Sequence, residues 1–199
     1  AVGYQALDAN TTASNNTAMG YNAGAAVTTG VDNTFIGGLA GDATTDADGN
    51  VAVGKSALSG NVLGGASVAI GKNALAAQNP ASATSMLNTA VGANAGLSVT
   101  TGIQNTLIGA LSGDAITTAN NNTAVGKSSL SATTTGGENT AVGTNALKVN
   151  TTASNNTAVG TNALTANTTG SENTAVGLSA LAANTTAASN VAVGFKSLF

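Results

Sequence analysis

The sequence predicts an all-β fold, a parallel β-solenoid (β-roll) of about twelve coils with 17 residues each. A segment of the form Asn-Thr-Ala-Val-Gly-x-Asn-Ala-Leu recurs along the 199 residues, and short β-branched runs precede its glycine. Asn, Gly and Ser, which suit turns, separate these runs, and the frequent Gly, Thr and Asn disfavour helix. Parallel strands lie ~4.8 Å apart, so twelve stacked coils would form a rod about 55 Å long.

One glycine, here named the marker glycine, identifies each repeat. Successive marker glycines are 17 residues apart in ten of eleven intervals, and 21 apart between Gly71 and Gly92. We place the extra residues of this interval in a loop at 76–87, and expect one solenoid domain over 1–199, a fragment or subunit of a longer fibre. The predicted turn glycines are Gly3, Gly20, Gly37, Gly54, Gly71, Gly92, Gly109, Gly126, Gly143, Gly160, Gly177 and Gly194.

Each repeat predicts its elements in a fixed order. The residues directly before the marker glycine form a short strand, as in 157–159, and a small residue followed by Leu comes three and four positions after the glycine. Paired Thr residues follow at eight and nine positions, as in Thr168 and Thr169, and predict a second strand. Ten of eleven positions four before the glycine carry Asn, with Ser67 as the exception. Stacked coils would align these residues in a ladder.

The sequence also contains a duplicated block that is longer than the 17-residue repeat. Residues 20–54 resemble residues 92–126 at an offset of 72. In both blocks a large residue replaces the usual Ala of the strand, and glycines replace the usual Leu. We expect the large residue to fill the space that the missing Leu side chains leave. The residues concerned are Phe35 with Gly24 and Gly41, and Leu107 with Gly96 and Gly113.

Composition excludes several functional classes. Only 7% of residues are charged and 3% aromatic, with no Cys and no His. No thiolate or imidazole nucleophile, Ser-His-Asp triad, zinc site or disulfide can therefore form. A net charge of −3 with five basic residues is too little positive charge for a nucleic-acid partner, and no apolar run is long enough to insert in a membrane. We expect a protein that is not an enzyme.

The thin predicted core favours self-association. One coil offers about one Val or Ile, one Leu and some Ala, which is little against the cost of ordering 17 residues. Several copies packed side by side along an Ala/Val face would bury more, and a homotrimer is a natural closed arrangement. Neither end of the sequence looks like a cap, so a further domain or a second molecule stacked end to end should cover the terminal strand edges.

The segment 42–50 contains the only cluster of carboxylates, Asp42, Asp46 and Asp48. Their spacing could offer oxygen ligands to a single calcium ion, but position 57, where an EF-hand would need a Glu, is Ala. A solvated turn is the favoured interpretation, and no other cofactor is expected.

Two ranks of side chains are candidates for ligand binding. Stacked Thr pairs would form a flat rank that could bind ice or sugar, although β-branched Thr also suits an ordinary exposed strand. Tyr4 and Tyr21 directly follow marker glycines, so they would lie one above the other and could stack against a sugar. An ordinary ladder pair is the alternative interpretation of the two tyrosines.

The segments 156–164 (Asn-Thr-Ala-Val-Gly-Thr-Asn-Ala-Leu) and 67–75 (Ser-Val-Ala-Ile-Gly-Lys-Asn-Ala-Leu) resemble the head repeats of trimeric autotransporter adhesins. They are also similar to repeats in phage tail-fibre shafts, and the 17-residue length favours these fibre-like relatives because the adhesin repeat is usually shorter. The resemblance covers all twelve repeats. It implies a left-handed parallel β-roll, three chains to a rod, an extracellular, cell-surface or virion location, and a role in attachment.

The leading hypothesis from these observations is a structural or adhesive fibre shaft that presents a binding tip. The shaft would contact itself, and a host or cell-surface receptor would bind through other parts of the fibre. One alternative is a filament subunit that stacks head to tail. The other is a sugar- or ice-binding solenoid that uses its Thr or Tyr ladders.

Overall fold

A computed structural model describes residues 1–198 and confirms an all-β parallel solenoid, with no helix in that part of the chain. Eleven strands form one parallel sheet whose order follows the sequence, and an isolated bridge joins Val2 to Met19 ahead of it. The sheet strands are β1 (Thr17–Met19), β2 (Thr34–Ile36), β3 (Val51–Val53), β5 (Val68–Ile70), β7 (Thr89–Val91), β8 (Thr106–Ile108), β9 (Thr123–Val125), β10 (Thr140–Val142), β11 (Thr157–Val159), β12 (Thr174–Val176) and β13 (Val191–Val193), and a separate two-stranded sheet pairs β4 (Gly64–Gly65) with β6 (Thr84–Ser85).

Each sheet strand pairs with the same three positions of the next repeat. Thr140 pairs with Thr157 and Val142 with Val159, so the register follows the 17-residue period. The register also crosses the longer interval, because Val68 of β5 pairs with Thr89 of β7. The four extra residues therefore leave the main sheet undisturbed, as an insertion within one loop should.

Alternation along each strand decides which side chains enter the core. In β10 the central Ala141 is fully buried, whereas Thr140 and Val142 point to the outer side and are partly exposed. The prediction that copies pack along a face of Ala and Val is therefore wrong for Ala, because Ala lines the interior. The outer side of the sheet carries Thr and Val or Ile instead.

The core is a narrow column of small side chains and one Leu per standard repeat. Leu58 and Leu147 are fully buried, although both adopt left-handed backbone conformations with φ of 53° and 51°. Such a conformation costs a non-glycine residue about 1–2 kcal/mol. Burial of a Leu side chain contributes about 1.5–3 kcal/mol, which offsets that cost in each repeat.

Phe35 and Leu107 fill the space left by missing leucines, as the sequence predicted. A methyl group placed on Gly24 would lie 2.7 Å from Phe35 Cδ2, and one on Gly113 would lie 2.7 Å from Leu107 Cδ2. Both large side chains are fully buried. The large residue on the strand and the glycines in the turns are thus one packing unit.

The predicted ladder of asparagines is present and buried. The side-chain oxygen of Asn139 accepts hydrogen bonds from the backbone N–H of Asn156 at 3.0 Å and from its side-chain amide at 3.2 Å. The amide of Asn139 donates in turn to the carbonyl of Ala153 at 3.0 Å. Because buried polar groups are costly when unpaired, this repeated bonding makes Asn specific to the position.

A second buried column, seven positions after each marker glycine, was not predicted. It contains both apolar and polar residues, with Val27, Thr44, Asn61 and Gln78 in four consecutive repeats, all fully buried. Five of its eleven positions are Asn, a weaker periodic signal than the ten Asn of the first ladder. At Gln78 it contacts the asparagine ladder, where Asn88 Nδ2 donates to Gln78 Oε1 at 3.0 Å.

The Thr pairs do not form the predicted second strand. Thr168 and Thr169 lie in a bend, and both of their backbone N–H groups donate to the carbonyl of Thr185, at 2.8 and 3.3 Å. In a parallel strand ladder the N–H groups that pair with the neighbouring strand donate to different carbonyl groups. Here two successive N–H groups donate to one oxygen, which prevents regular strand pairing. The hydroxyl of Thr168 donates to the same carbonyl at 3.0 Å.

The predicted loop in the 21-residue interval contains the short strand β6, which pairs with β4 beside the main sheet. Residues 81–85 are exposed, while Pro80 and Met86 on either side of them are buried. The loop is thus anchored at both ends and projects between them. No helix long and apolar enough to cross a bilayer occurs within residues 1–198.

Candidate functional site

The twelve marker glycines stack directly upon one another. Their φ angles lie between 123° and 143°, a region that residues with side chains rarely adopt. A methyl group on Gly126 would lie 2.6 Å from the carbonyl carbon and oxygen of Gly143. Close backbone stacking, as well as the backbone angle, therefore requires glycine at this position.

The structure separates Asp42 from the other two carboxylates proposed as calcium ligands. Asp46 and Asp48 line an open groove of about 440 Å³ together with Asp32, whereas Asp42 does not. Asp48 Oδ1 accepts a hydrogen bond of 2.8 Å from the backbone N–H of Val31, and Asp46 accepts one from the hydroxyl of Thr29. No group of three acidic side chains within residues 1–198 is arranged to hold a metal ion.

Asp42 and Asp114 occupy equivalent positions in the two duplicated blocks, five residues after a marker glycine. One carboxylate oxygen of each, Oδ1, is buried without a hydrogen-bond partner. Burial raises the pKa of both carboxyls above the usual Asp value, and a hydrogen bond to the residue's own backbone, the smaller effect, lowers it. These two groups are therefore destabilised in their charged form.

The Thr rank offers fewer free hydroxyls than the sequence suggested. The first Thr of several pairs donates its hydroxyl to a carbonyl of the next coil, as Thr100 does to Thr117 and Thr151 does to Thr168, both at 3.1 Å. In the middle of the rod the first Thr of a pair is half-buried and the second is exposed, as in Thr151 and Thr152, whereas both Thr are exposed at 11–12, 28–29 and 185–186. In the middle of the rod the pairs consequently form a row of single exposed threonines along a bend.

Tyr4 and Tyr21 lie one above the other, as expected for a ladder pair. Their ring centroids are 5.6 Å apart and their planes differ by 7°. Both side chains are more than half exposed. Since the rings cover one face of each other, a sugar could stack only on the remaining face of either ring.

An apolar row runs the length of the outer side of the sheet. The residues directly before each marker glycine, here named the outer row, are apolar in every repeat and point away from the core. Within the sheet Ile108 is 38% and Val159 36% exposed, whereas Val125 and Val142 are half-buried. The row consists of Val2, Met19, Ile36, Val53, Ile70, Val91, Ile108, Val125, Val142, Val159, Val176 and Val193.

A row of β-branched residues at the first strand position runs parallel to the outer row on the same face of the sheet. These are mostly Thr, as in Thr123 and Thr140, and none is charged. Contiguous uncharged rows of this length on a regular sheet are typical of an interaction surface. Comparisons with protein-family models, with curated proteins and with solved structures found no match to this chain.

Proposed function

We propose that the chain is a structural shaft in an extracellular fibre, a surface adhesin or a phage tail fibre, and that it has no enzymatic activity. In this proposal it forms twelve left-handed coils and associates as a homotrimer. Its task is mechanical, because it holds a binding tip at a distance from its anchor. Receptor contact then belongs to other parts of the fibre.

The observation that carries the proposal is the unbroken parallel sheet, one strand per repeat, from β1 to β13. Backbone hydrogen bonds between neighbouring coils run along the axis of the rod, and the asparagine ladder adds buried side-chain bonds in the same direction. Stretching or bending the rod would break many of these bonds together. Stiffness of this kind suits a spacer and requires no ligand site.

The outer row supports association of three copies. A strip about 50 Å long and about 10 Å wide, the length of a three-residue strand, has an area of roughly 500 Å². This is below the ~800 Å² per partner of a standard interface, but each chain of a trimer contacts two neighbours. The rows on this strip are uncharged, so burying them against another copy leaves no unpaired charge in the interface. The trimer also explains why so thin a core suffices, since each chain would gain apolar burial from two neighbours.

Location outside the cell or on a virion follows from the same proposal. A stiff rod with backbone bonding along its whole length offers few sites to proteases, apart from exposed segments such as 81–85 and 185–189. That resistance benefits a protein that works outside the cell.

Electron microscopy of the purified chain tests the shaft proposal. We expect discrete rods of uniform width and about 55 Å in length, from about twelve coils at ~4.8 Å each. Long filaments of constant width would instead support head-to-tail assembly. Irregular particles without a rod shape would contradict both.

A further inference from the structure

A gap interrupts the row of residues that directly follow the marker glycines, here named the flank row. Eleven of its twelve members carry a side chain, and Gly38 alone has none. The gap therefore lies in the third coil, with Tyr21 in the coil before it and Lys55 in the coil after it. Two coil spacings separate these neighbours, about 10 Å along the rod.

Nothing in the backbone requires a glycine at position 38. Its φ lies outside the positive range, and a methyl group there would have only the Tyr21 carbonyl oxygen within reach, at 4.0 Å. The marker glycines are different, because a methyl group on them would collide with the next coil. Gly38 thus leaves open surface that a side chain could occupy.

Tyr21 presents an aromatic face to this gap. Tyr4 stacks against Tyr21 from the preceding coil, with ring planes 7° apart, and so covers one face of the ring. The other face is directed toward the following coil, where Gly38 provides no covering side chain. The ring is 56% exposed, and the stack behind it holds its orientation.

The far side of the gap is cationic. Lys55 and Lys72 follow in consecutive coils of the flank row, both exposed, and the flank row contains no acidic residue. An aromatic face favours the apolar face of a sugar ring, whereas an ammonium group favours a carboxylate. Across the gap Tyr21 and Lys55 are about 10 Å apart along the rod, which leaves room for one sugar ring between them.

We propose that the gap at Gly38 binds a pyranose that carries a carboxylate, such as a uronic acid within an acidic polysaccharide. The ring stacks on the free face of Tyr21, and its carboxylate pairs with the ammonium group of Lys55. This site lies beside the outer row, so the shaft could hold the saccharide along its side as well as at a tip. A single exposed subsite of this kind binds weakly, with a dissociation constant on the order of 1 mM.

Tyrosine fluorescence can detect such binding directly, because the chain has two Tyr, and no Trp emission obscures them. Tyrosine fluorescence is titrated with D-glucuronic acid and, as the neutral counterpart, D-glucose. We expect a saturable change with glucuronic acid and at least five-fold weaker binding of glucose. No saturable change with glucuronic acid, or equal affinity for the two sugars, would overturn the proposal.

Two variants locate the site. Gly38→Thr places in the gap a side chain that Thr144 and Thr161 carry in the same row, and should weaken glucuronic acid binding at least ten-fold. Lys55→Gln should reduce the affinity for glucuronic acid to that for glucose. Lys127→Gln, the same change in a coil far from Tyr21, is the control and should bind as the parent does. Unchanged binding by Gly38→Thr, with an unchanged circular dichroism spectrum, would refute the location.

Discussion

The hydroxyl of Ser67 donates a hydrogen bond of 3.3 Å to Oε1 of Gln78, in the one repeat where the asparagine ladder lacks its Asn. Asn88, the next member of the ladder, donates to the same oxygen at 3.0 Å. The longer Gln side chain thus reaches from the neighbouring buried column and supplies an acceptor that the short Ser cannot. Two substitutions in different columns compensate each other.

The pair predicts a coupling between Ser67 and Gln78. Gln78→Asn shortens the acceptor and should destabilise the fold by about 1–3 kcal/mol, because buried donors lose their partner. Adding Ser67→Asn restores the ladder residue, so the double variant should recover at least half of the loss. Urea unfolding of the parent, both single variants and the double variant measures this coupling, and strictly additive effects would contradict it.

Phe35 should be replaceable by the standard residues of the repeat. Phe35→Ala alone leaves a cavity and should cost about 3–5 kcal/mol. Combined with Gly24→Leu and Gly41→Leu, it gives these coils the packing of a standard repeat, in which a Leu such as Leu58 fills the core. Thermal unfolding should show that most of the stability returns. As a control, Gly41→Leu with Phe35 in place should destabilise the protein, since the aromatic ring occupies that space. A combined variant no more stable than Phe35→Ala would refute the compensation.

Substitution of a marker glycine should be far more damaging than substitution of Gly38. Gly126→Ala combines a φ of 134° with a collision against Gly143, and should cost more than about 3 kcal/mol. Gly38→Ala has open space and should change the free energy of unfolding by less than about 0.5 kcal/mol. Chemical denaturation of the two variants compares them, and similar losses would show that the stacked backbone does not fix the glycine.

The partly buried carboxyl of Asp42 predicts a pH dependence of stability. Burial raises its pKa in the folded state, so its favourable contribution is present below the unfolded pKa of about 3.9 and is lost as pH rises through the folded value. Asp42→Asn should therefore be more stable than the parent at pH 7, and this advantage should disappear near pH 3. Thermal unfolding at both pH values measures it.

Asp8→Asn is the matched control for that experiment, because Asp8 has the same place in the first repeat but is exposed. It should change stability at pH 7 by less than about 0.5 kcal/mol. An Asp42→Asn variant that is less stable than the parent at pH 7 would show that the buried charge has a partner.

The repeat period predicted the sheet, its register and the compensation at Phe35, because stacked coils align residues 17 apart. It could not predict the bend at the Thr pairs. The strand preference of β-branched residues predicts a strand there, but it does not show that two N–H groups donate to one carbonyl. Leu58 shows a second limit. A left-handed conformation is rare for Leu, and only the packing of neighbouring coils stabilises it here. The column of Gln78 was missed because Asn occupies only five of its eleven positions, too few to indicate that the column is buried.

The outer face was only partly predicted, and for a related reason. Strand alternation assigns Ala and Val to opposite sides, but the sequence alone does not tell which side is inside when both are apolar. The structure places Ala141 in the core and Val142 outside. The candidate interface is therefore a Thr and Val surface, with the larger methyl-bearing side chains available for contact between chains.

Sedimentation equilibrium of the purified chain tests the central claim, that the rod is a trimer associated through its outer row. The proposal predicts a species of three chains, each of 18.7 kDa, and dissociation with loss of stability when Val125→Lys and Val142→Lys are introduced together. A folded, stable monomer of 18.7 kDa at micromolar concentration would contradict it.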